Sequence, residues 1–85
     1  MKKIDKALEI FNDTNFIQVT DFDECIIGVA EGFNIEPILV YDRNKMIKKL
    51  MTRDHMTEAD AVDFFEYNII GSYFGEKTPL FLTKV

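Results

Sequence analysis

Apolar residues fall at Ile4, Ala7, Leu8 and Phe11, the i, i+3, i+4, i+7 spacing of one helical face, with charges between them. That stripe predicts a first helix, stopping in the turn-favouring run Asn12-Asp13-Thr14-Asn15. The apolar segment Phe16 to Val19 is too short to show a period and predicts either a short strand or an extended connector. Two β-branched runs follow, Cys25 to Ala30 and Pro37 to Tyr41. Between them Gly32 and Asn34 suit a turn, so the pair predicts an antiparallel hairpin with a loop of about six residues. Pro37 is expected at the first position of its strand, where a missing N–H does little harm. Gly28, in mid-strand, predicts a bulge or the close approach of a helix backbone.

Asp42 then stands where an N-cap belongs, ahead of a helix running to about Arg53. Met46, Ile47, Leu50 and Met51 share one side of that helix, and Lys45, Lys48 and Lys49 the other. Thr57 heads a third helix, with Glu58 and Asp60 in the first turn, where carboxylates suit the helix dipole. The short connection Asp54-His55-Met56 predicts that the second and third helices are antiparallel neighbours. The run from Pro79 to Val85 has the content of a closing strand. The order α-β-β-α-α-β predicts an α+β fold: a small, mainly antiparallel sheet of three or four strands with the helices packed on one face.

The third helix breaks its own pattern. At about 100° per residue, Ala61, Val62, Phe65 and Ile69 form a narrow apolar face. Tyr67, Ile70 and Phe74 land roughly 120–180° from Glu58, among Asp60 and Asp63 on the side that should face water. If one coil winds to Phe74, it is apolar on two faces over its last turns. Large exposed apolar patches are rare on monomers, and aromatic residues are enriched at interface centres. Three covers are open: the first helix or closing strand of the same chain, a second copy in a homodimer, or another protein. Gly71 within this helix weakens it by about 1 kcal/mol unless a backbone comes close there or the helix ends. Gly75 suits the left-handed position just past a helix.

Composition narrows the class. The 85 residues form a single domain, 47% hydrophobic and 29% charged, ordinary for a globular chain and too apolar for disorder. A chain of this length buries roughly 60–65% of its unfolded surface, and eight Phe with three Tyr supply much of that burial. No apolar run approaches the roughly 18 residues of a membrane span, and no secretory signal opens the chain. Cys25 is alone, so no intramolecular disulfide forms, and with His55 the sole imidazole, a zinc site of soft ligands is not expected.

The net charge is −5, but it is unevenly spread. Arg43, Lys45, Lys48, Lys49 and Arg53 lie in eleven residues without an acid, while the rest of the chain carries five bases against fifteen acids. The basic face offers Lys45, Lys48 and Lys49 as possible phosphate-binding residues, with Tyr41 near enough to stack on a base. A helix-turn-helix reading fails, because the recognition helix would open with Glu58, Asp60, Asp63 and Glu66, which repel phosphate. Nucleic acid is therefore not the favoured partner. The simpler expectation is that these bases face water and offset acids on the third helix.

Asp21, Asp23 and Glu24 carry oxygen ligands but lack the spacing of a calcium loop, so they are read as solvated charges and no metal is expected. Lys77 and Thr78 sit in a Gly-flanked turn without P-loop spacing. His55 has no partner nucleophile placed by sequence. No catalytic motif and no cofactor motif is present, which points away from an enzyme.

The runs DFDECIIGV, VYDRNKMIKKLM and MTEADAVDFFEYNIIGSYFGEKTPLFL resemble a family of small, uncharacterised proteins of tailed phages and prophages. The resemblance covers about residues 21 to 82 and leaves the first helix outside it. It implies a phage-type product acting in host cytoplasm and brings no catalytic residues. Together these readings favour a non-enzymatic accessory protein working through protein–protein contact at Tyr67, Ile70 and Phe74. The alternative is a small phosphate, nucleotide or nucleic-acid binder using the basic helix.

Overall fold

The computed structural model describes residues 2–71 and 75–85. Helix α1 spans Lys3–Ile10, and a 3-10 turn, Asp23–Cys25, leads into strand β1, Ile26–Gly32. Strand β2 is Ile35–Asp42, helix α2 Arg43–Arg53, helix α3 Glu58–Phe64 and strand β3 Leu80–Leu82. The fold is α+β, with strand order β1-β2-β3. Residues 16–19 form no strand: they are the extended connector, and the Val19 N–H donates to the Tyr41 hydroxyl at 2.8 Å.

The sheet is mainly antiparallel, as expected, but not throughout. β1 pairs antiparallel with β2, whereas β3 runs parallel to β2 and pairs only with Val40, Tyr41 and Asp42. A parallel neighbour needs a crossover, and the part of the chain that carries α2 and α3 supplies it. The hairpin is also tighter than expected. β1 continues through Glu31 and Gly32, and only Phe33 and Asn34 remain for the turn. Asn34 takes a φ of 60°, a left-handed conformation that asparagine tolerates better than most residues. Exposed Glu31 and Glu36 fall in a register slip between Ala30 and Gly32 yet lie within the strands, so polar side chains did not mark the strand ends.

The register slips between Ile26 and Gly28, so the mid-strand glycine does mark a bulge. No helix presses on it, since a Cβ there would meet nothing within 4 Å. Pro37 lies inside β2, not at its start. β3 reaches only as far as Val40, so on that side Pro37 has no ladder bond to lose.

The helices pack on one face of the sheet. Ile4 and Ala7 of α1, Met46, Ile47 and Leu50 of α2, and Ala61 and Phe65 join Ile26, Leu39 and Tyr41 in a single core. Phe81 closes it, stacked edge-on against Phe65 at 5.2 Å and tilted against Tyr41 at 5.9 Å between ring centroids. Leu8 of the predicted α1 stripe is exposed instead, because α1 lies beside β1 and turns only Ile4 and Ala7 fully inward. Both predicted caps form: the Asp42 carboxylate accepts from the Lys45 N–H at 3.1 Å, and Thr57 Oγ1 from the Asp60 N–H at 3.2 Å.

Candidate interaction surfaces

The third helix changes its winding. From Phe65 to Ile70 it becomes a π-helical turn, and the Gly71 N–H reaches back five residues to the Glu66 carbonyl at 3.0 Å. A wider turn advances fewer degrees per residue, so the angular projection holds only as far as Phe65. Up to that point it is right: Ala61 and Phe65 are fully buried and Val62 packs against the core, and Ile69, within the wider turn, still packs against it. Gly71 is where this winding ends. A Cβ there would lie 2.7 Å from the Tyr67 carbonyl oxygen, so the backbone that comes close is the helix's own. Gly75 has the left-handed φ expected of it, 93°, although the described helix already ends at Ile70, capped by Gly71, rather than just before Gly75.

Beyond the core-facing side, Phe64, Tyr67 and Ile70 follow one another at three-residue spacing and are all exposed. Tyr67 is 83% and Ile70 48% accessible, so neither α1 nor β3 covers Tyr67. Phe64 belongs to this stripe and was overlooked, although the 100° projection puts it on the same water-facing side, about 60° from Tyr67. Asp60, Asp63 and Glu66, all exposed, rim the stripe with negative charge. Glu66 is drawn to Arg43 at 3.6 Å, across from the start of α2, as antiparallel neighbours require. Phe74, the third predicted contact, lies outside the described residues.

The basic helix is less free than its sequence suggests. Lys49 donates to the Glu24 carboxylate at 2.7 Å and to the Asp21 carbonyl, with its ammonium 5.1 Å from the Phe22 ring centroid. Arg53 forms two hydrogen bonds to Asp54 and also lies over Phe22. Arg43 sits over the Phe65 ring at 5.3 Å as well as near Glu66. Only Arg43 therefore meets an acid of the third helix; the partners of Lys49 and Arg53 come from elsewhere. Lys45 and Lys48 have no ion pair among the described residues. Tyr41 cannot stack on a base: it is fully buried, and burial pushes its hydroxyl above the ordinary tyrosine pKa.

The acids before β1 are not simply solvated. Asp23 accepts from the Lys3 N–H at 2.9 Å and the Ile4 N–H at 3.1 Å, capping α1 from twenty residues away. The signal was negative: Lys2, at the cap position, has no side-chain acceptor, so the first amides of α1 needed one from elsewhere. With Asp23 committed to amides and Glu24 to Lys49, these oxygens already have hydrogen-bond donors. Lys77 is likewise paired, with Glu36 at 2.9 Å, which ties the Gly75–Thr78 turn to β2.

Cys25 lies in the 3-10 turn rather than in β1, and it is fully buried. Desolvation, and then the Glu24 charge, push its thiol above the ordinary range. His55 is exposed in the α2–α3 connection with a φ of 56°, the left-handed position that follows a helix end. Among the described residues no helix is long and apolar enough to cross a membrane. Comparison with models of known families, with characterised proteins and with solved structures finds no match to this chain.

Proposed function

We propose that this is a non-enzymatic, phage-type accessory protein acting in host cytoplasm by protein–protein interaction. The exposed stripe Phe64–Tyr67–Ile70 is the contact, and the sequence reading adds Phe74 to it. The observation that carries this reading is Tyr67, 83% exposed on a helical turn whose opposite side is anchored in the core by Phe65. An aromatic residue held rigidly in water, rimmed by Asp60, Asp63 and Glu66, suits a partner groove that is apolar at its centre and basic at its edge. The partner is a host protein, a phage protein or a second copy of the chain.

The test is capture of partners from infected cells by wild-type and Tyr67→Glu/Ile70→Glu protein, with circular dichroism of both. The reading expects the captured partner to be lost while the spectrum stays the same. Retained capture would place the contact elsewhere, and a lost fold would make the two side chains structural. A second reading rests on Lys45 and Lys48, whose ammonium groups lack ion-pair partners among the described residues. It assigns them, with Lys49, to a phosphate or nucleic acid, and expects affinity that falls steeply with salt and vanishes on their charge reversal.

A further inference from the structure

β1 is an edge strand. Among the described residues, no backbone hydrogen bond outside the sheet involves Ile26–Gly32, so the outward N–H and C=O groups of β1 stand unpaired. Natural proteins blunt such edges with proline, lysine, a bulge, a covering helix or extreme shortness. β3 is three residues long, whereas β1 has seven, contains neither proline nor lysine, and carries register slips at Ile26/Gly28 and Ala30/Gly32 that leave Gly28–Ala30 in regular pairing.

Along this edge runs a groove of about 690 Å³ between β1 and α1, lined by Ala7, Ile10 and Phe11 on one side and by Ile27, Gly28 and Val29 on the other. Its strand wall runs from Ile26 to Val29 and takes in Glu31. Ile10, 75% exposed, overhangs it, and Gly28 leaves open space where a second backbone would come closest.

We propose that this edge pairs with the same edge of a second copy. The two β1 strands run antiparallel about a two-fold axis near Gly28 and make one continuous six-stranded sheet. The charges of the groove select this occupant. Lys6 stands on the groove's α1 wall in the half of α1 that Asp23 anchors at the start of β1, and Glu31 stands near the strand's end. Neither has an ion pair within the chain among the described residues. An antiparallel two-fold brings each copy's Glu31 to the other's Lys6, so one contact settles both charges twice. Such an isologous interface closes on itself and leaves no long edge exposed. Ile10 of each copy then covers the partner's strand.

Sedimentation equilibrium over a range of protein concentrations tests this, with circular dichroism to confirm that each variant is folded. Wild type forms a dimer. Lys6→Glu or Glu31→Lys alone weakens it by at least about tenfold, because each change creates two like-charge contacts across the axis. The double variant Lys6→Glu/Glu31→Lys restores it. Tyr67→Glu leaves it unchanged, which separates this contact from the α3 stripe. A wild type that stays monomeric overturns the proposal, as do single variants that dimerise normally. A dimer lost in Tyr67→Glu but kept in the charge variants also overturns it and places self-association on α3.

Discussion

The carboxylate of Asp23 accepts a hydrogen bond from the backbone N–H of Ile4 at 3.1 Å, and its other oxygen holds the N–H of Lys3. A residue in the turn before β1 therefore caps a helix that ended thirteen positions earlier. Replacing a capping acceptor by Ala costs about 0.5–2 kcal/mol. Asp23→Ala is expected to fall in that range and to speed hydrogen exchange across Asp5, Lys6 and Ala7. Asp23→Asn, which keeps one acceptor oxygen, should recover most of the loss. Unchanged exchange in the Ala variant would mean that α1 is held by Ile4 and Ala7 alone.

Asp42 caps α2 from the adjacent position, and its pKa is lowered, chiefly by the Lys45 N–H and then by Lys84 at 3.5 Å. A carboxylate depressed on folding stabilises the protein fully above its unfolded pKa of about 3.9. That contribution is lost as pH falls through the lower folded value. Urea midpoints of wild type and Asp42→Asn are expected to differ most at neutral pH and to converge in strong acid. A constant gap at every pH would show that the amide and the carboxylate act alike.

Two backbone positions near the helix ends should respond in opposite directions. His55 holds a φ of 56°, which costs a side-chain-bearing residue roughly 1–2 kcal/mol. His55→Gly relieves that cost, so it is expected to leave stability unchanged or raise the melting temperature slightly, despite the entropy of glycine. Gly71→Ala forces a methyl to within 2.7 Å of the Tyr67 carbonyl. It should destabilise by about 1–3 kcal/mol, the usual range for overpacking. A stabilised Gly71→Ala would mean that the π turn rewinds to ordinary helix without penalty.

Cys25 is completely inaccessible, and its thiol is held protonated by burial and by the neighbouring Glu24 charge. Thiolate reagents should therefore modify the native protein only through opening, far more slowly than unfolded chain at the same pH. Modification rates that rise with urea in step with unfolding would agree. Rapid native labelling would show that the 3-10 turn opens on its own.

The Tyr41 hydroxyl receives the Val19 N–H and so pins the connector 14–20 to the sheet. Tyr41→Phe leaves that amide without its acceptor and should cost about 1–3 kcal/mol, read from the denaturation midpoint. A smaller effect would indicate that water reaches the Val19 amide.

Local chemistry was enough to place the elements. The apolar spacing of Met46, Ile47 and Leu50 names the buried side of α2, and Ala61 with Phe65 that of α3, because a helical period needs no knowledge of the partner. Asp42 and Thr57 are legible as caps for the same reason: donor and acceptor lie within one turn. The exposure of Tyr67 and Ile70 was visible as a conflict between helical period and polarity, and that of Phe64, though overlooked, was visible in the same way. Partners distant along the chain follow no spacing rule. Only the assembled fold brings Asp23 to α1, Lys49 to Glu24, and Val19 to Tyr41. It also sets β3 parallel to β2, since strand direction depends on where the α2–α3 crossover returns the chain. The π turn at Phe65 belongs to the same class. Hydrogen-bond periodicity widens from Phe65, the residue whose ring meets Phe81 sixteen positions away. What a residue does within its own turn is written in its neighbours, and what it does across the core waits for the core to form.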